Sequence, residues 1–123
     1  MTAHRVLQDL AKSTELEIVD PGNGGTIAID RSMGICSVVS TGSDTRKLAS
    51  PARPGIIVTV CHKTDGGSVA ITGAGGENLS SVDGTSTTTM TMADAGDSVT
   101  FISIRNGSNI QWSVLANSGG TLS

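Results

Sequence analysis

Hydrophobic and polar residues alternate with a period of two along most of the chain. Alternation of this kind is typical of half-buried β-strands, and the β-branched residues Thr, Val and Ile suit a pleated surface. The clearest cases are Val58/Val60, Val69/Ile71, Met90/Met92, Val99/Phe101 and Ile110/Trp112/Val114. The pattern predicts strands near residues 15–20, 25–30, 34–40, 56–62, 67–72, 87–92, 98–105 and 109–116.

Turn-forming sequences separate the predicted strands. Gly, Asn and Asp cluster in these segments and tolerate the positive φ that hairpin turns require. Eight short strands at this spacing predict an all-β fold, either an antiparallel β-sandwich or a jelly-roll-like barrel, and leave the strand order open. Residues 49–55 contain two prolines, which cannot donate to a strand ladder, so we expect a crossover loop between sheets there. The turn segments are 20–25, 41–44, 65–67, 83–84 and 106–109.

The first 18 residues differ from the rest, and we divide the chain into an N-terminal arm, 1–18, and a single β-domain, 19–123. Only residues 3–12 have helical spacing, and a helix of that length is marginal by itself. The arm therefore either docks on a partner, closes one end of its own domain or frays. If it docks, its apolar residues are the candidate contacts: Val6, Leu7, Leu10, Leu16 and Ile18.

Composition narrows the function classes. The chain of 123 residues contains 16 Gly, 16 Ser and 15 Thr, but one Trp, one Phe and no Tyr. Its formal net charge is −3. Nucleic-acid binding needs a positive surface and often aromatic faces for stacking, so nucleic acid is not an expected partner. The same lack of aromatic residues argues against a platform on which sugars stack.

Targeting signals and cysteines give a second set of expectations. No apolar stretch approaches the ~20 residues of a membrane-spanning helix, and residues 1–17 lack the apolar core of a secretory signal. We therefore expect synthesis in a cytosol and no membrane partner. Cys36 and Cys61 lie in strand-like segments without a CxxC motif. Two buried, reduced thiols are favoured there, although a disulfide between them is left open.

Candidate chemistry is sparse. His4 and His62 lack the neighbours of a metal site, and Cys61 and His62 point to opposite faces if they share a strand. The glycine-rich run 73–76 is not followed by a helix, which a dinucleotide loop requires, so a hairpin tip is predicted. Asp94 and Asp97 suit a turn better than a calcium site. We expect no enzyme, no metal and no cofactor.

The C-terminal part carries a recognisable order of motifs. Gly84-Thr-Ser-Thr-Thr-Thr-Met-Thr-Met is followed by Ala93-Asp-Ala-Gly-Asp, an alternating strand, a Gly-containing hairpin and a last strand that bears Trp112. Over residues 76–123 this order resembles virion proteins of tailed bacteriophages. Small chains of this type are similar to capsid decoration (cement) proteins, and related segments occur as β-modules of phage fibres.

The resemblance implies a β-rich virion protein, expected as a homotrimer, that binds the outer surface of an assembled head and stabilises the capsid without chemistry. Its expected partner is the major capsid protein, and its location is the capsid surface. Alternatives are a fibre or receptor-binding β-domain and a small glycan-binding module. The basic residues Arg46, Lys47 and Arg53 are further candidate contacts with an acidic rim of the shell, with ordinary solvated loop charges as the alternative. Trp112 is expected in the core, with a trimer contact as its alternative.

Overall fold

The computed structural model describes residues 16–64, 66–79 and 87–123. These ranges contain strands and turns, and no helix. The predicted helix at 3–12, with Val6, Leu7 and Leu10, lies outside the described residues. The strands are β1 (Glu17–Ile18), β2 (Thr26–Ile27), β3 (Met33–Val39), β4 (Asp44–Leu48), β5 (Ile57–Thr64), β6 (Val69–Gly73), β7 (Thr89–Met92), β8 (Ser98–Asn106), β9 (Asn109–Ser118) and β10 (Thr121–Leu122).

The strands form two sheets of five. The first sheet has the order β1–β3–β5–β8–β9, and the second has the order β10–β7–β6–β4–β2. From β1 to β6 the chain alternates between them, so β1, β3 and β5 are parallel neighbours, as are β2, β4 and β6. The other pairings are antiparallel. The all-β sandwich is confirmed, but its sheets are mixed, and the expectation of antiparallel pairing throughout was wrong.

Connections that cross from one sheet to the other produce the parallel pairing. The connections at 19–25 and 40–43, and the one that contains residues 66–68, each lead from one sheet to the other instead of closing a hairpin. A glycine with positive φ, such as Gly22 or Gly24, reverses the chain in either case, so turn chemistry alone does not separate the two outcomes. Residues 107–108 form the tight hairpin between β8 and β9. The proline-containing segment 49–55 crosses between sheets, as predicted.

One core lies between the two sheets. Alternate side chains of both sheets point into it, which follows directly from the period of two. Its residues are Ile18, Ile27, Cys36, Val38, Leu48, Ile56, Val58, Val60, Val69, Ile71, Leu79, Met90, Met92, Val99, Phe101 and Trp112.

The strand predictions are confirmed at all eight positions, but two strands were missed. These are β4 and the two-residue β10 at the C-terminus. The boundary of the arm also moves, because β1 pairs with β3 and Ile18 is part of the core. Residues 17 and 18 therefore belong to the sandwich and not to the arm.

Candidate functional site

The outer surface of the first sheet is largely apolar on its three central strands, and Glu17 on the edge strand β1 borders it next to Ile35. Outward positions of its three central strands alternate with core positions, and their lateral neighbours follow from the strand register. One row is Met33, Ile57 and Ile102, and the next begins with Ile35. We call the following outward residues the apolar face: Met33, Ile35, Ser37, Val39, Ile57, Thr59, Cys61, Lys63, Ser98, Thr100, Ile102 and Ile104.

Exposure distinguishes the apolar face from an ordinary strand surface. Met33 is 51% exposed and Ile35 is 45% exposed, and Val39 is exposed at the end of the same strand. Large exposed apolar side chains next to each other on a sheet are typical of a protein–protein interface. Lys63 is the one charged residue of the face as defined, and it lies near the end of β5.

Two threonine hydroxyls in the middle of this face form a hydrogen bond with each other. Thr59 and Thr100 are neighbours across β5 and β8, and their hydroxyl oxygens are hydrogen-bonded at 2.9 Å. Beside them, at the bulge between β8 and β9, lies a shallow depression of about 110 Å³. It is lined by Ser98, Thr100, Ala116, Asn117 and Ser118. Leu115, the neighbour of Ala116 in the bulge, is 55% exposed.

The outer surface of the second sheet has a different character. Its outward positions are dominated by threonine, in rows set by the pairing of β4, β6 and β7. Lys47 lies in one of these rows, level with Thr26 and Thr72. The two faces of the sandwich therefore offer an apolar surface on one side and a hydroxyl-rich surface with a cation on the other.

Arg46 forms the strongest electrostatic cluster of the described residues. Its side chain is buried, its Nε donates a hydrogen bond of 2.8 Å to Asp20 Oδ1, and its Nη1 lies 3.5 Å from Asp44 Oδ2. Its Nη2 also donates to the carbonyl oxygen of Val39 at 3.1 Å. Because both the charge and the donors of Arg46 are used inside the fold, the prediction that it contacts a shell protein was wrong.

The titration of this cluster follows from its contacts. Burial by itself raises the pKa of Asp20, but hydrogen bonds from Arg46, Val39 N and Gly22 N outweigh burial, so the pKa lies below its usual value. Burial likewise opposes the charge of Arg46, while the hydrogen bond and charge of Asp20 and the charge of Asp44 raise its pKa. The ion pair therefore stays charged at neutral pH.

A second buried polar cluster joins Ser40 to His62. Ser40 Oγ lies 2.9 Å from His62 Nε2, accepts a hydrogen bond from Gly66 N and lies 2.8 Å from the Gly67 carbonyl oxygen. A hydroxyl has one proton, so donation to Gly67 leaves Nε2–H of His62 as the donor to Ser40. His62 Nδ1 is buried and has no partner among the described residues. Both side chains are enclosed, and the cluster ties the end of β3 to the β5–β6 turn.

The remaining predicted contact residues differ in their exposure to solvent. Ile18 is in the core, so it is not available to a partner, whereas Leu16 is 39% exposed at the edge of the first sheet. Lys47 is exposed on the second sheet. Arg53 is exposed and donates a hydrogen bond of 2.6 Å to Ser32 Oγ. The structure does not bring Lys47 and Arg46 to one surface, because neighbours on a strand point to opposite sides.

Trp112 lies in the core, as expected, and a trimer contact through it is excluded by its burial. Its indole Nε1 donates a hydrogen bond of 3.1 Å to the carbonyl oxygen of Ala49. This bond joins β9 of the first sheet to the segment that follows β4 of the second sheet. The hydrogen bond of Trp112 therefore connects the two sheets.

Both cysteines are free thiols. Cys36 points into the core, where burial raises the pKa of its thiol to about 11. Cys61 is half-buried on the apolar face, so the expectation that both thiols are buried was wrong for this residue. The prediction that Cys61 and His62 point to opposite faces is confirmed, since His62 is buried in the interior.

The acidic and glycine-rich segments form turns. Asp97 Oδ2 accepts a hydrogen bond of 3.0 Å from Asp94 N, which closes the turn before β8. Glu77 bends back over the glycine-rich run, where it accepts hydrogen bonds from Gly75 N and from Ser50 Oγ. In the described part of the chain, no three His, Cys, Asp or Glu side chains are grouped so as to hold a metal ion.

The apolar face was missed in the sequence, although a signal for it exists. Ile56–Ile57 and Phe101–Ile102 place apolar residues at consecutive strand positions, so one member of each pair must point away from the core.

Within the described ranges, no helix is long and apolar enough to cross a membrane. A scan against protein-family models and a search of curated proteins found no match to this chain.

Proposed function

We propose that this chain is a non-enzymatic structural protein of a phage particle, which binds the outer surface of an assembled head and stabilises the capsid. It acts as a homotrimer that bridges subunits of the major capsid protein. The resemblance of residues 76–123 to decoration proteins supports this proposal. The observation that carries it is the apolar face, since an exposed apolar sheet surface on a small sandwich suits a protein that works by binding other proteins.

The physical logic of a decoration protein is mass action. A molecule that binds the assembled shell and not its separated subunits stabilises the assembled state in proportion to its occupancy. Such a molecule needs stiff surfaces and several modest contacts. The sandwich supplies stiffness, and Leu16, Lys47 and Arg53 are exposed candidates for contact with the shell. A contact through Lys47 and Arg53 becomes weaker as salt increases, because exposed charges are screened.

Co-sedimentation with undecorated heads from the phage that encodes this chain tests the proposal. Purified protein is mixed with heads and, separately, with tails, and each mixture is pelleted at low and high salt. We expect saturable binding to heads that weakens at high salt. Binding to tails alone supports the alternative fibre function, and binding to neither contradicts both.

Two variants localise the contact with the shell. Lys47→Glu should weaken binding to heads, while Arg105→Glu, the same charge change at an exposed position of the first sheet, should not. Deletion of residues 1–15 tests the arm and leaves β1 in place. Equal affinity of the deleted and full-length chains would show that residues 1–15 are not a contact.

A further inference from the structure

We propose that Asn106 is a site of spontaneous deamidation, at which the asparagine converts to aspartate or isoaspartate without an enzyme. The chain contains two Asn-Gly dipeptides, Asn23-Gly24 and Asn106-Gly107. Asparagine is chemically labile, most of all before glycine, because glycine has no side chain to hinder an approach to its nitrogen. The hydrogen bonds of the fold protect the first dipeptide and leave the second open. The reaction requires neither binding to heads nor association of copies.

The reaction takes place within the chain and consumes only water. The backbone nitrogen of Gly107 attacks the side-chain carbonyl carbon Cγ of Asn106, since the two atoms are held close by the chain itself. The new N–Cγ bond closes a cyclic imide, the bond from Cγ to the amide nitrogen breaks, and ammonia leaves with the proton of Gly107 N. Water then adds to one of the two imide carbonyls, and the ring opens to aspartate or to isoaspartate.

Asn106 lies where the chain opens most easily. It is exposed at the end of β8, and its pairing with Asn109 is the last of the β8–β9 ladder. Closure of the imide requires Asn106 to leave the strand conformation, and a terminal ladder pair opens at a low cost in free energy. In the described part of the chain, the N–H of Gly107 has no hydrogen-bond acceptor. The side chain of Asn106 is restrained by one bond, from its Nδ2 to Gln111 Oε1 at 2.9 Å.

Asn23 is held by the opposite strand. Its Oδ1 accepts a hydrogen bond of 3.0 Å from Thr45 N, and the attacking group, Gly24 N, donates a bond of 2.8 Å to the carbonyl oxygen of Thr45. Both bonds must break before the ring can close. Space does not distinguish the two sites, because a Cβ atom on Gly24 or on Gly107 would meet no other atom within 4 Å. The hydrogen bonds to Thr45 therefore make the difference.

The product changes the tip of the β8–β9 hairpin and not the sandwich. Either product adds a negative charge next to Arg105. Isoaspartate also lengthens the backbone by the side-chain carbon Cβ, so the pairing of position 106 with Asn109 is lost. The core contact of Trp112 lies further along β9 and is kept.

Mass spectrometry of the full-length protein tests the proposal. The chain is kept at physiological temperature and mildly alkaline pH, and samples are digested with trypsin, with a sample from the start as the reference. Cleavage after Lys12, Arg31 and Arg105 places the two dipeptides in separate peptides, 13–31 and 106–123. We expect the exchange of amide for acid at Asn106 to be roughly tenfold or more faster than at Asn23, because two bonds protect Asn23. Asn109 precedes the bulky Ile110 and should not react.

Two controls separate the effect of the fold from that of the sequence. In guanidinium chloride the bonds to Thr45 are absent, so both Asn-Gly dipeptides should react at similar rates. Asn106→Gln keeps an amide but lengthens the side chain, and it should abolish the main change in the mass of peptide 106–123.

Three results would overturn the proposal. The first is equal conversion of Asn23 and Asn106 in the folded protein. The second is an Asn106 that stays intact in the folded protein while it converts in the unfolded chain. The third is a rate ratio that persists in guanidinium chloride, which would assign the difference to sequence and not to the hydrogen bonds of the fold.

Discussion

At the scale of single residues, Arg46 is the position where one side chain matters most. Removal of the guanidinium leaves the buried Asp44 and the partly buried Asp20 without the cation that both contact. Breaking a buried ion pair from one side typically costs 3–5 kcal/mol. We therefore expect Arg46→Met to lower the free energy of unfolding by about 3–5 kcal/mol, measured by urea denaturation.

The neighbouring residue provides the matched control. Lys47→Met removes a cation of the same charge one position along β4, but on the exposed side, and should change stability by less than about 0.5 kcal/mol. If the two variants were equally stable, the ion pair would contribute no more to the fold than a surface lysine.

The same cluster makes stability depend on acid. The pKa of Asp20 lies below its ordinary value of 3.8, so between the two values the unfolded chain binds more protons than the folded chain. The contribution of Asp20 is complete above pH 3.8 and is lost as pH falls through the lower, folded pKa. Asp20→Asn should therefore be less stable than wild type at neutral pH and should lose less stability on acidification.

Unfolding curves at a series of pH values between neutrality and strong acid measure this effect. Asp30 serves as the comparison, because the pKa of this exposed carboxyl is also lowered, by a hydrogen bond from Arg31. Solvent screens that pair, so Asp30→Asn should change the acid dependence less than Asp20→Asn. An equal change in both variants would mean that burial of the Arg46 cluster has no effect on its strength.

At the scale of elements, β4 shows why the sequence pattern did not predict every strand. Its inward positions are Asp44, Arg46 and Leu48, while Thr45 and Lys47 point outward. A segment whose first two inward positions are charged predicts no buried face, so the strand was missed. The eight strands that were predicted have apolar residues at inward positions, and the alternating pattern therefore revealed them. Burial of charge in β4 depends on Asp20, a partner 26 residues away, which no local pattern reveals.

Parallel pairing could not be predicted for a related reason. The segments after β1, β3 and β5 have the composition of hairpin turns, yet they join different sheets. What decides between these outcomes is whether the next strand pairs beside its predecessor in the same sheet or packs against it across the core.

Of the predicted contact residues, Lys47 and Leu16 are exposed, whereas Arg46 and Ile18 are enclosed by strands distant in sequence.

The turn between β5 and β6 yields a test at this scale. A Cβ atom on Gly66 would overlap the Ser40 carbonyl oxygen and lie 2.8 Å from Thr41 Cα, both of them backbone atoms of the facing turn. Gly66→Ala should therefore force the two turns apart, break the bond from Gly66 N to Ser40 Oγ, and lower stability by about 1–3 kcal/mol.

Gly42 lies in the facing turn and gives the control. A Cβ there would have Asp44 Oδ1 as its nearest neighbour, at 4.0 Å, so Gly42→Ala should have little effect on thermal unfolding. Similar melting temperatures for the Gly66 and Gly42 variants would mean that the two turns do not have to approach closely.

At the scale of the whole molecule, the strands from β1 to β6 alternate between the two sheets, so the formation of each sheet depends on the other. Because consecutive strands from β1 to β6 lie on opposite sides of the core, no run of neighbouring strands there forms a sheet by itself. Every pairing among these six strands joins strands that are two apart in the sequence, so the chain crosses the sandwich and returns between the two partners. Such non-local pairing is also expected to make folding slow, on the order of milliseconds to seconds.

This coupling predicts a single cooperative transition. Trp112 is the only tryptophan, and its bond to Ala49 joins the two sheets, so its fluorescence reports on their contact. Far-ultraviolet circular dichroism reports on the strands themselves. Since neither sheet persists without the other, the two signals should give the same urea midpoint and slope. An earlier fluorescence transition would mean that the antiparallel β8–β9 hairpin leaves the sandwich first, and that the parallel strands form a unit stable without it.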